Sequence, residues 1–264
     1  MLSNSPIMED YKTTQEFKPK GVVDICFLLD VTGSMQPCID AVKNGIRTFI
    51  STLTSPESNG GIRIENWRAS ICGYRDITYE PRFNKEWLII NDFTDDVSLL
   101  HAQLDALHAQ GGGEEPESLL DALYHVVNRG KTEKGEPMDA KKWRYTSEAA
   151  RCIIVLTDAT YHEKMGEHED GATVNDLIPI LQQERIRLSL FAPELPCHYA
   201  LSCLDKCTYE AIEVPTTDTT SSTNTKAIQK AVADYVSNPE NFNKTLELLA
   251  KSISQSGAAD VEEL

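Results

Sequence analysis

The sequence has few basic residues for its length of 264. Its 25 lysines and arginines stand against 41 aspartates and glutamates, which gives a formal net charge of −16 at pH 7. Such a protein is repelled by the phosphates of a nucleic acid and by an anionic membrane surface, so we expect neither as the main partner. A divalent cation or a basic protein surface is more compatible with this charge.

Long apolar runs are also missing. No segment approaches the roughly 20 apolar residues of a membrane-spanning helix, and the N terminus lacks the charged and then apolar pattern of a signal peptide. We therefore predict a cytoplasmic protein. The seven cysteines agree with a reducing compartment, because their number is odd and because Cys26, Cys72 and Cys152 lie in apolar segments where a free thiol acts as a small buried hydrophobe.

Two common catalytic motifs are absent as well. The sequence contains neither the Gly-x-Ser-x-Gly segment of serine hydrolases nor the Gly-x-x-x-x-Gly-Lys-Ser/Thr loop that binds nucleotide phosphates. Enzymes built on either motif are therefore not expected.

The sequence does contain apolar, strand-like segments that alternate with amphipathic helical ones. This order predicts an α/β fold with a doubly wound, mostly parallel central sheet and helices on both faces. The segment at 87–93 is expected to be an edge or antiparallel strand. The predicted strands are 22–29, 62–74, 87–93, 149–158, 186–191 and 208–214.

One domain accounts for most of the chain. Residues 1–18 have little periodicity and are predicted to form a loose leader, residues 19–255 a single domain, and residues 256–264 a disordered tail. The Thr/Ser-rich segment 215–225 is poor in apolar residues and is expected to be mobile. The C-terminal helix predicted from Ala227 to Ile253 is too short to form a domain by itself.

A polar triplet follows the first strand. The segment 22–29, a near-continuous apolar run, leads directly to Asp30, Thr32 and Ser34, and a helix with Pro37 in its first turn begins after them. Open parallel sheets bind ligands at the carboxyl ends of their strands. One carboxylate and two hydroxyls suit a hard cation such as Mg²⁺ better than Zn²⁺. The same residue types are ordinary helix caps and turn formers, so capping alone is the competing explanation.

Two further segments are expected at the same edge of the sheet. Three consecutive glycines lead into an acidic pair over residues 111–115, and the strand at 149–158 ends in Thr157 and Asp158. Convergence of three polar loops is hard to explain by capping alone. It favours a metal site.

Together these segments resemble the von Willebrand factor A domain family. Its metal-ion-dependent adhesion site uses Asp-x-Ser/Thr-x-Ser after the first strand, a residue in a middle loop, and an Asp after the fourth strand. The resemblance covers about residues 21–215. It implies a Rossmann-like fold and Mg²⁺ or Mn²⁺ as cofactor, with Thr32 and Ser34 binding through their hydroxyls and Asp30 and Asp158 binding directly or through water. It also implies a water-filled sixth position that a protein partner's carboxylate takes over, without catalysis.

The middle loop departs from the most frequent pattern of that family. Many members have a metal-binding Thr there, whereas residues 111–115 are GGGEE, similar to the GGG-acidic-x-P-E variant of intracellular members. The third ligand is therefore Glu114, a backbone group acting through water, or absent. Intracellular members often act in multi-protein assemblies, and by analogy we expect the same here.

Two other functions compete with adhesion. Asp30 is a candidate nucleophile of a metal-dependent phosphohydrolase, with Asp158 holding Mg²⁺, but Thr32 stands where the second Asp of such enzymes supplies general acid and base catalysis. The other alternative is a degenerate domain that binds no metal and serves only as a scaffold.

Three other clusters have simpler explanations. The His and Glu residues at 162–169 are expected to form a solvated loop that borders the metal site. The Cys and His residues at 197–207 do not have the usual zinc spacing. The basic and aromatic residues at 141–144 are expected in a solvated loop rather than a docking site.

Overall fold

The protein folds around a central β-sheet. A computed structural model describes residues 21–55, 64, 66–83, 85–113, 115–166, 171–214 and 222–259. Within them the strands are β1 (Val22–Asp30), β2 (Asn66–Tyr74), β3 (Leu88–Ile90), β4 (Ala150–Leu156), β5 (Ile186–Pro193) and β6 (Cys207–Ile212). They form one sheet in the order β3-β2-β1-β4-β5-β6, in which β3 is antiparallel to β2 and the other neighbours are parallel. The predicted fold class and the antiparallel edge strand are confirmed.

Helices cover both faces of this sheet. In chain order they are α1 (Gln36–Thr54), α2 (Val97–Ala106), α3 (Leu119–Val127), α4 (Val174–Gln183), α5 (Pro196–Ser202), α6 (Ser222–Ser237) and α7 (Pro239–Ala259). Apolar residues of α1, α2, α6 and α7 form one hydrophobic cluster with the sheet, and those of α3, α4 and α5 form the other. Within the described residues, no helix is both long and apolar enough to cross a membrane.

Strand β1 is central because it can be buried on both sides. Its odd-numbered residues from 23 to 29 belong to one hydrophobic cluster, while Cys26 and Leu28 belong to the other. Its neighbours are β2 and β4, and the chain continues from β1 to β2 but from β4 to β5. The carboxyl ends of β1 and β4 therefore flank a topological switch point, the usual ligand site of a doubly wound sheet. Asp30 is the last residue of β1.

The C-terminal segment differs from its prediction. One helix was expected from Ala227 to Ile253, but α6 ends at Ser237 and α7 begins at Pro239. Proline lacks a backbone N–H and its ring clashes with the preceding turn, so it starts a new helix instead of continuing the old one. Helix α6 already begins at Ser222, within the segment expected to be mobile, and α7 continues past the predicted domain boundary at 255. Residues 1–20, 215–221 and 260–264 lie outside the described residues.

Only half of the segment 141–144 is solvated as expected: Lys141 and Lys142 are exposed, but Trp143 and Arg144 are buried. Trp143 is fully buried, packs against Phe93, and donates from Nε1 to the carbonyl oxygen of Val126 at 2.9 Å. The backbone N–H of Arg144 donates to Oδ2 of Asp24, which is also paired with a second buried arginine. Trp143 thus anchors this segment to the core. The sequence did not predict this, because the residues on either side of Trp143 are polar.

Candidate metal centre

Asp30 is held by hydroxyl groups from two loops. Its Oδ1 accepts hydrogen bonds from the backbone N–H of Thr32 at 2.9 Å and from Oγ1 of Thr32 at 2.7 Å. Its Oδ2 accepts from Oγ1 of Thr157 at 2.9 Å. Burial raises the pKa of Asp30, and the bonds from Thr32 and Thr157 oppose that rise. The carboxylate therefore ties the turn after β1 to the end of β4.

Asp158 follows β4 and lies beside this group. Its side chain is 1% exposed, and Oδ1 has no hydrogen-bond partner among the described residues. Burial and then the charge of Asp30 raise its pKa to about 7, against a hydrogen bond from the side chain of Ser34. The structure thus brings Asp30, Thr32, Ser34 and Asp158 together, as the sequence predicted.

The middle loop passes directly over the turn that carries Thr32. The backbone N–H of Gln110 donates to the carbonyl oxygen of Val31 at 3.0 Å, and that of Gly33 donates to the carbonyl oxygen of Gly111 at 3.4 Å. Gly112 has φ +87°, and a Cβ atom there would lie 2.4 Å from Cγ2 of Thr32. Glycine is needed at 112 because the two loops approach too closely for any side chain.

Glu114, the predicted ligand in the middle loop, lies outside the described residues. Its neighbour Glu115 is half-buried, and its Oε2 accepts from N and Oγ1 of Thr160 at 3.3 and 3.1 Å. The other oxygen, Oε1, is buried and has no partner in the described part of the chain. The charge of Glu115 raises the pKa of both Asp30 and Asp158.

Glu117 was not among the predicted ligands, although the GGG-acidic-x-P-E pattern ends on it. Pro116 suits the first turn of a helix, but α3 begins only at Leu119, and Glu117 instead pairs with the loop after β4. Its N–H donates to the carbonyl oxygen of Thr160 at 2.9 Å, and its own carbonyl oxygen accepts from His162. The side chain is 4% exposed, and Oε2 has no partner within the described ranges. The proline was a misleading signal, because it also fits an extended segment.

Glu117 has a strongly perturbed carboxyl group. Burial raises its pKa to about 10, and the charges of Asp30, Asp76, Asp158 and Glu115 add to the rise. Four buried or half-buried carboxylates, those of Asp30, Asp158, Glu115 and Glu117, thus interact within one cluster. A buried cluster of this kind requires protons or a cation to neutralise it.

His162 borders the site, as expected for the loop after Asp158. Its Nε2 lies 3.3 Å from Oδ1 of Asp76, which also accepts from N and Oγ1 of Thr78 and from Oγ of Ser118. Asp76 is therefore held by other side chains at the edge of the carboxylate cluster. His168 and Glu169 lie outside the described residues.

The donor set fits a hard cation. Carboxylates and hydroxyls are the oxygen ligands that Mg²⁺ and Mn²⁺ take in proteins. Among the described residues, no three Asp, Glu, His or Cys side chains form a metal-ligand group by themselves. Of the five predicted ligands, Thr32 and Ser34 bind through hydroxyls and do not belong to those residue types, and Glu114 lies outside the described residues.

The cysteine and histidine cluster at 197–207 gives no sign of a second centre. His198 is fully buried, its Nδ1 lies 2.8 Å from the carbonyl oxygen of Pro193, and burial lowers its pKa. Cys203 is exposed. These contacts are those of a histidine packed in the core.

Comparison with known proteins leaves the family open. No family model matches the sequence, and no curated protein does. Similar solved structures include the pilus adhesin SpaC from Lactobacillus rhamnosus GG in its open conformation (12% identity, TM-score 0.46) and proximal thread matrix protein 1 from the mussel byssus (10% identity, TM-score 0.47). The alignments cover 87% and 85% of this chain but 31% and 49% of those chains. Likeness at this level carries no functional argument.

Proposed function

We propose that this chain is a divalent-metal-dependent protein-binding module of the von Willebrand factor A type. Asp30, Thr32, Ser34 and Asp158 would hold Mg²⁺ or Mn²⁺, and an acidic residue of a partner protein would complete the coordination. Asp158 carries most of this proposal: within the described residues its buried Oδ1 has no partner, although it lies beside a second buried carboxylate. A divalent cation would neutralise both groups and supply the missing partner.

Glu115 is the middle-loop residue whose charge we expect to act on the metal, without being a third carboxylate ligand. Glu114 lies outside the described residues, whereas Oε1 of Glu115 is buried without a described partner and its charge acts on both Asp30 and Asp158. Glu117 lies against Gly112, but because its pKa is raised to about 10 it is protonated at pH 7 and adds no negative charge there. The charge of Glu115 strengthens the attraction of the site for a cation.

The number of carboxylates bears on the partner. Asp30 and Asp158 together balance the charge of one divalent cation, which leaves it able to attract an acidic side chain. Glu115 weakens that attraction when it is ionised. We therefore propose modest partner affinity that depends on the metal, in keeping with reversible membership of a multi-protein assembly. The net charge of −16 speaks against nucleic acid and membrane as partners.

A cytoplasmic location is part of the proposal. All seven cysteines carry free thiols, and Cys26 and Cys72 remain thiols with their sulfur atoms 3.5 Å apart. A reducing compartment keeps such cysteines unpaired.

The proposal excludes catalysis. Both oxygens of Asp30 accept hydrogen bonds and the side chain is fully buried, so nothing in this geometry favours it as a nucleophile for a phosphate ester. A screen with phosphate esters tests this. Hydrolysis by the wild type that Asp30→Ala abolishes would refute the adhesion proposal.

The direct test measures metal and partner binding together. Isothermal titration with Mn²⁺ should show one site in the wild type and none in Asp30→Asn, whereas Asp105→Asn, which changes a 70% exposed side chain on α2, should bind normally. Capture of partners from a cell extract should fail in EDTA and recover with Mg²⁺. A wild type that binds no Mn²⁺ at millimolar concentrations would instead support the metal-free scaffold.

A further inference from the structure

Glu80 is a buried carboxylate that contacts the middle loop at Gly111 and Gly112. It starts the short 3₁₀ helix Glu80–Phe83 and is fully buried. Its Oε1 accepts a hydrogen bond from the backbone N–H of Gly112 at 2.7 Å. A Cβ atom on Gly111 would lie 1.9 Å from that oxygen, and Gly111 has φ +71°. The carboxylate thus occupies the space that the glycine leaves open.

Arg75 binds the same loop by donating to its backbone carbonyl oxygens. It is buried, its Nε donates to the carbonyl oxygen of Gln110 at 2.8 Å, and Nη2 donates to that of His108 at 3.0 Å. Burial lowers the pKa of Arg75, and the charge of Glu80 is the largest influence that opposes this. The two side chains therefore hold both an N–H and two carbonyl groups of one short loop.

This loop leads directly to the proposed ligands. The N–H of Gln110 donates to the carbonyl oxygen of Val31, and the carbonyl oxygen of Gly111 accepts from the N–H of Gly33, which separates Thr32 from Ser34. A continuous path of hydrogen bonds thus runs from Glu80 through the loop to the turn after β1. A shift of the loop would move the hydroxyls of that turn.

We infer that Glu80 is a positioning residue for the metal site. It acts as the acceptor that fixes Gly112 against Thr32 through Oε1, while its Oε2 is buried without a partner among the described residues. The inference rests on the proposed function, because it concerns the same site. It also explains the glycines: Gly111 makes room for a buried carboxylate on one side, and Gly112 makes room for Thr32 on the other.

Two variants separate the acceptor from the charge. Glu80→Ala removes the acceptor, whereas Glu80→Gln keeps an oxygen that can accept from Gly112. Mn²⁺ affinity measured by electron paramagnetic resonance should fall by about tenfold or more in Glu80→Ala, as for other residues that orient metal ligands, and should stay near the wild-type value in Glu80→Gln. Hydrogen exchange over residues 107–113 should quicken in Glu80→Ala alone.

A matched control removes the effect of general destabilisation. Val23→Ala creates a cavity at the amino end of β1, whereas the proposed metal site lies at its carboxyl end. The variant should lower stability without changing Mn²⁺ affinity. If Glu80→Ala does not fold, Glu80→Asp serves the same comparison, since it keeps the charge but shortens the reach to Gly112.

The outcomes distinguish the two levels of the proposal. Wild-type affinity in Glu80→Ala, or in Glu80→Asp where that variant replaces it, would overturn the positioning role while leaving the metal site intact. Equal losses in Glu80→Gln and Glu80→Ala would overturn the acceptor role. A wild type that binds no Mn²⁺ would refute the proposed function, and the inference with it.

Discussion

Replacing Asp158 by asparagine should stabilise the metal-free protein and abolish its stabilisation by metal. The pKa of Asp158 rises from 3.8 to about 7 because the group is buried beside Asp30. Each pKa unit corresponds to about 1.4 kcal/mol, so keeping Asp158 ionised in the folded protein costs on the order of 4 kcal/mol. Asparagine avoids this cost but alters the contact with Ser34, worth about 1 kcal/mol. A net gain of about 3 kcal/mol remains, or about 6–12 °C in Tm.

The pH dependence of this gain follows from the direction of the pKa shift. The pKa is higher in the folded than in the unfolded protein, so the cost is absent below about pH 3.8, where the carboxyl group is protonated in both states. It grows as the pH rises toward about 7 and is constant above that. The difference in unfolding free energy between Asp158→Asn and the wild type should grow over the same range.

Thermal and urea unfolding in EDTA and in Mn²⁺ measure both effects. In EDTA the variant should be the more stable protein. Mn²⁺ at about 100 times its dissociation constant should stabilise the wild type by about 2.7 kcal/mol and leave the variant unchanged. A variant that is less stable than the wild type in EDTA at pH 7 would refute the reasoning, because Asp158 would then be compensated by the protein itself. Asp105→Asn serves as the control for loss of a negative charge.

Three further substitutions test the fold and the site. Gly112→Ala should weaken Mn²⁺ binding and cost about 1–3 kcal/mol or more, because its Cβ would meet Thr32 at a positive φ; normal affinity in titrations would contradict the close approach. Trp143→Ala should cost about 3–5 kcal/mol in urea unfolding but leave Mn²⁺ affinity unchanged, and a change near zero would mean that the segment is solvated after all. Asp24→Asn should cost about 3–5 kcal/mol, because it leaves two buried arginines without their carboxylate; the loss should be the same with and without Mn²⁺.

The structure makes the site more acidic than the motif implied. The predicted ligands included two carboxylates in the strand-end loops, but Glu115 and Glu117 join them from the middle loop. More carboxylates raise the affinity for a cation and reduce the positive potential left for an acidic partner. Metal affinity and partner affinity should therefore respond in opposite directions when Glu115 is replaced by glutamine.

The sequence by itself determined the sheet and predicted that Asp30, Thr32, Ser34 and Asp158 lie close together at the carboxyl ends of its strands. A near-continuous apolar run such as 22–29 is buried only in a strand that is covered on both faces of the sheet. A polar residue that ends such a run therefore lies at the carboxyl end of the strand, where ligands bind. The same argument placed Asp158 beside Asp30 without any contact being known. Apolar runs and the polar residues that end them are local features of the sequence, so they can be recognised without knowledge of the tertiary structure.

Only the tertiary structure decided the middle loop and its support. Pro116 fits the start of a helix and an extended segment equally well. The segment is extended because the backbone of Glu117 forms hydrogen bonds with Thr160 and His162. Glu80 and Arg75 carry no motif, because they act on backbone groups more than 25 residues away that any sequence would provide. A contact between two side chains restricts which residue types occur at both positions, so it can be recognised in the sequence. A contact to a distant backbone group restricts only one position, apart from glycines that make room for it.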